Sequence, residues 1–194
     1  FSSSLIDLKI NKNTYLEGYW QSERYFIDII GTIRRDLCIK PPTDKENCAM
    51  ASKILNRNSV AVHFRFFDEP SSSDNSNNLT EEYYKKALGS IELERSNLHY
   101  YIFSDQPDGV SKYLDIDSPK FTIVNHNIGD ANAYADLWLM SLCNHFIIAN
   151  STFSWWGAWL GQGSGKLVYA PDIELSGITS WGFSGLIPDS WILI

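Results

Sequence analysis

The sequence predicts an α/β fold, a Rossmann-like parallel sheet flanked by helices. Three observations carry this reading. From Ser59 onward, short apolar strand-like runs alternate with helix-period segments, the pattern of parallel β/α units. The runs SVAVHF and HFIIAN are apolar almost throughout, as strands covered on both faces are. Of the 194 residues, 44% are hydrophobic and 14% aromatic, enough for the core of one ordinary domain.

The elements follow in order. In GYWQSERYFIDIIGTIRRDL, Tyr25, Ile29 and Ile33 recur every four residues, which predicts an amphipathic helix. The break KPP follows. TDKENCAMASKIL then opens with Thr43 as N-cap and Glu46 three positions on, a capping box. SVAVHF is a strand, and DEPSSSDNSNNLT is a polar, mobile loop. TEEYYKKALGSIELER is a helix capped by Thr80, LHYYIFS a strand, QPDGVSKYL a short helix and KFTIV a strand. GDANAYADLWLMSLC is a helix, HFIIAN a strand, STFSWWGAWLG a helix, and KLVYA a fifth strand that Pro171 ends. The tail DSWILI is expected to pack back on the domain. The resulting division is 1–57, a helical lead-in, and 58–194, the sheet domain. The start FSSSLIDLKI, without Met, reads as the interior of something longer.

Charge narrows the function classes. A formal net charge of −7 and a pI near 5.0 leave no surplus of cations to replace counterions on a nucleic acid. No apolar run approaches the roughly 20 residues of a membrane span. Cys38, Cys48 and Cys143 contain no C-x-x-C pair, so a structural zinc site is not expected, and all three read as buried free thiols. NLT at Asn78 and NST at Asn150 fit the glycan-acceptor pattern but carry no meaning in a cytosolic protein.

Ligands of open α/β sheets bind at the carboxyl ends of the strands. Three polar clusters fall at such ends: His63, Arg65 and Asp68; Ser104 and Asp105; and Asn150 to Trp155. The third has the clearest physics. The first amides of a helix lack intrahelical acceptors and the helix dipole favours an anion there, with Ser151 and Thr152 adding hydroxyls. The same residues also suit an ordinary N-cap. Arg65 offers a guanidinium for phosphate oxygens, or else an ion pair with Asp68 or Glu69. His63 suits a base or ribose hydroxyl, or a hydrogen-bonded core position. Asp136 stands among large apolar residues, where an acid needs a partner; it could receive the two N–H donors of a guanine edge or join a structural pair. Trp155, Trp156 and Trp159 read as core. Together the clusters suggest a nucleotide or nucleotide-sugar. No G-x-G-x-x-G and no P-loop is present, and DID at 115–117, in a surface connection, is the only D-x-D triplet. A diphosphate would therefore be neutralised by Arg65 and helix dipoles, with no metal and no cofactor.

The stretch ADLWLMSLCNHFIIANSTFSWWGAWLG closely resembles the α-1,2-fucosyltransferases of glycosyltransferase family 11. GYWQSERYF, VAVHFRFFD, EEYYKKAL, YIFSDQPDGV and LIPDSWI fall in that family's order, from about Gly18 to the end. The resemblance implies the donor-binding half of a GT-B-like, inverting, metal-independent transferase. It would move L-fucose from GDP-β-L-fucose to a hydroxyl of an oligosaccharide or glycolipid, typically O2 of a terminal galactose. It also implies a cytoplasmic, bacterial location with peripheral contact at the inner membrane. By the resemblance, Arg65 holds the donor diphosphate and His63 lies near the nucleoside. Ser151, Thr152, Phe153 and Ser154 form the phosphate-binding turn, Asp136 reads guanine, and Asn150 and Asp105 join the donor site, Asp105 without an assigned role. Asp68 or Glu69 is the candidate base that takes the acceptor proton. Two departures stand out: Phe66 and Phe67 replace the second arginine and the glycine of the family's HxRRGD pattern, and the Gly-rich GLGNQ-like segment is absent. From the second, this chain is expected to be a donor-binding half that needs the other half of the cleft. The competing readings are a non-catalytic GDP-sugar or glycan-binding relative, and a transferase for another acceptor hydroxyl or another GDP-sugar.

Overall fold

The computed structural model describes residues 1–15, 17–18, 20–70, 77–115, 118–172 and 185–194. The helices are α1 (Ile30–Asp36), α2 (Lys45–Leu55), α3 (Glu81–Glu94), α4 (Ala133–Ser141) and α5 (Thr152–Leu160). The strands are β1 (Asn58–Phe64), β2 (Leu98–Ser104), β3 (Phe121–Val124), β4 (His145–Ile147), β5 (Val168–Ala170) and β6 (Ile192–Leu193). All six strands form one parallel sheet in the order β3-β2-β1-β4-β5-β6. The five expected strands are present. The tail adds the sixth: Ile194 N donates to Ala170 O at 3.0 Å, and the Trp191 ring lies 5.6 Å from that of Trp155.

Side chains alternate across a strand, so β1 serves two faces. Val60, Val62 and Phe64 pack with Tyr83, Tyr84, Ala87 and Ile91 of α3. Ala61 and His63 point to the other face, where the His63 ring meets Phe153 of α5 at 5.5 Å. On that side α4 packs against both α2 and α5. Trp155 and Trp159 of α5 are fully buried with near-parallel rings 6.3 Å apart, so they are core residues, as expected.

The chain path reverses at β1. From β1 it steps outward to β2 and β3; α4 then carries it back to β4 on the other side of β1. The β1/β4 boundary is therefore the switch point, where the loops leaving the two strands diverge and open a crevice.

Several local expectations are corrected. Residues 18–37 do not form one helix: 3-10 turns at Glu23–Tyr25 and Ile27–Ile29 precede the seven-residue α1. Four-residue apolar spacing is met, but β-branched Ile27, Ile29, Ile30 and Ile33 with Gly31 make a weak helix former. The cap of α2 is Asp44, whose carboxylate accepts from Asn47 N at 2.8 Å, not Thr43. Residues 107–112 form a 3-10 turn. Cys143 is buried, but Cys38 and Cys48 are exposed. Residues 71–76 of the polar loop expected over 68–80, and two residues of the DID triplet, 116 and 117, lie outside the described residues.

The chain divides into two compact units, Phe1–Cys38 with Ile173–Ser190, and Ile39–Asp172 with Trp191–Ile194. The expected boundary at 57/58 thus differs from the contact boundary, because α2 packs on β1 and α4. In the smaller unit, Tyr25 gathers the Phe1 and Trp20 rings at 5.0 and 5.2 Å, and Arg24 pairs with Asp189 at 2.9 Å.

Candidate active site at the switch point

The Phe64↔Ser104 register of β1 and β2 puts residues 65 and 105 side by side just past the paired strands. Arg65 Nη1 donates to Asp105 Oδ2 at 2.9 Å. The sequence offers Asp68 or Glu69 as the ion-pair partner of Arg65; in the structure the pair is made with Asp105, which the β1/β2 register brings alongside. The other oxygen, Asp105 Oδ1, accepts from Phe66 N at 3.1 Å. Phe66 is a buried core ring stacked on Phe64, whereas exposed Phe67 flanks the Arg65 guanidinium at 5.6 Å.

Asp68 holds the loop. Its carboxylate accepts from Asn77 N at 2.9 Å and Asn77 Nδ2 at 3.0 Å. Asn78 Oδ1 accepts from Phe67 N at 2.8 Å and Asp68 N at 3.1 Å, while its Nδ2 donates to Asp68 O at 2.9 Å. Glu69 is exposed on the same loop. Asn77 C=O accepts from Asn150 Nδ2 at 3.4 Å, which fastens the β1 exit to the β4 exit. Both asparagines of the glycan-acceptor patterns, Asn78 and Asn150, are thus buried in this framework.

Ser151 caps α5 by accepting from Phe153 N at 3.3 Å. Thr152 is exposed at the helix mouth. Ser154 does not face that mouth. It is fully buried, and its hydroxyl is shared between Ala149 O at 3.3 Å and Ser151 O at 3.2 Å, so it shapes the turn. Two further groups lie at these strand exits. His63 Nδ1 and Asn150 Oδ1 are buried polar atoms with no hydrogen-bond partner among the described residues. Such atoms are costly, and a ligand at this edge would relieve that cost. Burial, with the nearby Arg65 charge, lowers the His63 pKa to about 3, so the imidazole is neutral near pH 7.

Asp136 belongs to a second cluster. Asn127 Nδ2 donates to Asp136 Oδ1 at 2.8 Å, and Asn127 exchanges amide hydrogen bonds with buried Asn47 at 2.8 and 3.0 Å. His126 Nε2 lies 3.0 Å from Asn47 Oδ1. Burial raises the Asp136 pKa to about 6, against the lowering effects of Asn127 and His126. Its hydrogen bonds tie it to the β3 exit, not to Arg65 or the Ser151 turn. Asn47, Asn77, Asn78 and Asn127 carry the site's framework, and sequence reasoning missed all four. Isolated asparagines give no periodic signal, and Asn77 and Asn78 lie inside a polar run that marks only a loop.

Among the described residues, no group of three or more His, Cys, Asp or Glu side chains is gathered for a metal ion. Nor is any helix there long and apolar enough to cross a membrane.

The parallel α/β domain thus gathers a guanidinium, a capped helix mouth and unpartnered buried polar atoms at its switch point, groups whose chemistry suits an anion. The chain belongs to Glycosyl transferase family 11, whose profile matches residues 3–176. It is 33% identical over 164 residues to an alpha-1,2-colitosyltransferase of Escherichia coli, covering 79% of this chain and 53% of that protein. It is 34% identical over 140 residues to the E. coli O-antigen biosynthesis glycosyltransferase WbnK, covering 71% and 45%. The chain thus spans about half the length of the curated relatives it matches. Among solved structures it is similar to Thermosulfurimonas dismutans KpsC, a beta Kdo 2,4 transferase, at 12% identity and TM-score 0.38, covering 71% of this chain and 48% of that one. A structure described as trehalose-6-phosphate from E. coli bound with UDP-2-fluoro glucose matches at 8% identity and TM-score 0.39, covering 74% and 35%. Neither superposition is close enough to carry an argument.

Proposed function

We propose that this chain is the donor-binding half of a GT-B-like, inverting, metal-independent transferase that moves L-fucose from GDP-β-L-fucose to O2 of a terminal galactose on an oligosaccharide or glycolipid. One observation carries the reading: Arg65 and the α5 mouth stand at the exits of adjacent strands, tied through Asn77, Asn150 and the His63–Phe153 contact. Family membership and the α-1,2 linkage in one relative's name support it. The acceptor would be a membrane-linked glycan made on the cytoplasmic side, in keeping with the O-antigen relative.

The reaction is a single displacement. The acceptor O2 attacks C1 of the sugar, the bond from C1 to the β-phosphate oxygen breaks, and the configuration inverts from β to α. GDP leaves with the bonding electrons. Arg65 and the amides at the α5 mouth, with Thr152 beside them, stabilise its growing charge. Neutral His63 and Asn150 supply hydrogen bonds, not proton transfer. Asp136 accepts from the guanine edge. A carboxylate on the β1 exit loop, Asp68 or Glu69, takes the acceptor proton; both oxygens of Asp68 also receive hydrogen bonds from Asn77.

A second reading has specific support: the colitosyltransferase relative favours activated colitose as donor. The test is turnover by the full-length protein with each activated sugar, followed by linkage analysis. An α-1,2-linked fucosyl product supports the first reading and a colitosyl product the second. Binding without turnover makes the protein a sugar-nucleotide-binding relative. Arg65→Ala is expected to lose GDP binding and transfer together; normal GDP binding by that variant removes Arg65 as the diphosphate clamp.

A further inference from the structure

A solvated arginine on a strand exit samples many rotamers, and fixing it on a ligand costs conformational entropy. Arg65 is already engaged by its neighbours. Its side chain is 45% exposed, yet one guanidinium N–H is held by Asp105 at 2.9 Å and the Phe67 ring flanks it at 5.6 Å. Asp105 is itself anchored, because its second oxygen holds the Phe66 amide at 3.1 Å and the Phe66 ring is buried in the core. Only one of the five guanidinium N–H donors is spent on Asp105, which leaves further donors for an anion. A carboxylate this close would also repel a bound diphosphate, so it makes a poor donor ligand.

We propose that Asp105 is the positioning residue for Arg65: it touches no part of the donor and acts by presenting the guanidinium to the diphosphate. Phe67, where the family pattern has another residue, is the second support. The proposal rests on the diphosphate reading of Arg65, and its sign is open to test. If Asp105 positions Arg65, removing its charge weakens diphosphate binding. If it only repels the ligand, removing it strengthens binding.

The experiment is calorimetric titration of GDP into the full-length wild type, Asp105→Asn, Asp105→Glu, Arg65→Gln and the Arg65→Gln/Asp105→Asn double variant. Asp105→Asn is expected to weaken GDP binding about tenfold, the scale of one charge-assisted hydrogen bond. Asp105→Glu should recover most of the loss. In the Arg65→Gln background, Asp105→Asn should cost nothing further. Unchanged or tighter binding in Asp105→Asn, or an equal loss in both backgrounds, overturns the proposal. A parallel readout needs no nucleotide: the 15N–1H signals of the Arg65 guanidinium should show slow Nη rotation in wild type and fast rotation in Asp105→Asn. Fast rotation already in wild type overturns the positioning role. Slow wild-type rotation lost in Asp105→Asn, without any GDP binding, keeps Arg65 held by Asp105 and rejects the diphosphate reading instead.

Discussion

At the scale of single residues, protonation separates the two polar clusters. His63 is kept neutral by burial and by Arg65, so it does not shuttle protons near pH 7. The Asp136 pKa is raised to about 6, burial being the largest cause. Two trends of opposite sign follow. An acid whose folded pKa lies above its usual 3.8 makes the fold lose stability as pH rises from about 4 to 6, by no more than about 3 kcal/mol. If the anion reads guanine, GDP affinity rises over the approach to pH 6 and levels off above it. Titrations of GDP across pH 5–8 check this, and Asp136→Asn should remove the pH dependence with the affinity. A flat wild-type profile would detach Asp136 from the nucleotide. The sequence singled out Asp136 because an acid among Leu137, Trp138 and Leu139 needs a partner. It could not supply that partner, because Asn127 and Asn47 are brought there by two other elements.

At the scale of elements, local chemistry read the strands well and the site's framework poorly. β1, β2 and α3 were legible because apolar runs and the Thr80 cap are local signals. The N-cap at Ser151 was legible for the same reason. Ser154 was not: the sequence puts it in the phosphate turn, but the helix rotates its hydroxyl inward onto Ala149 O. The β1–α3 loop depends on Asn78, which satisfies the Phe67 and Asp68 amides and the Asp68 carbonyl. Asn78→Ala should therefore destabilise the domain by about 1–3 kcal/mol, because three part-buried hydrogen bonds are lost at about 0.5–1.5 kcal/mol each, with water replacing some of them. It should also weaken GDP binding, since the loop carries Arg65. Chemical denaturation with parallel titration tests both; lost stability with unchanged binding would mean that the loop does not set the Arg65 position.

At the scale of the whole molecule, five of the six strands were legible and strand order was not. Periodicity reports which residues are strands; the order β3-β2-β1-β4-β5-β6 depends on where α4 returns the chain. That return makes the β1/β4 boundary a switch point and puts the Arg65 and Ser151 clusters at neighbouring exits. The sixth strand was visible only as a tail expected to pack back, because two residues are too few for a periodic signal. The same topology makes the central claim testable in one measurement, a crystal structure of the GDP complex. The account predicts diphosphate oxygens about 3 Å from both the Arg65 guanidinium and the first amides of α5, within ordinary hydrogen-bond range. A diphosphate that reaches one of these groups but not the other, or lies away from the β1/β4 boundary, would contradict it.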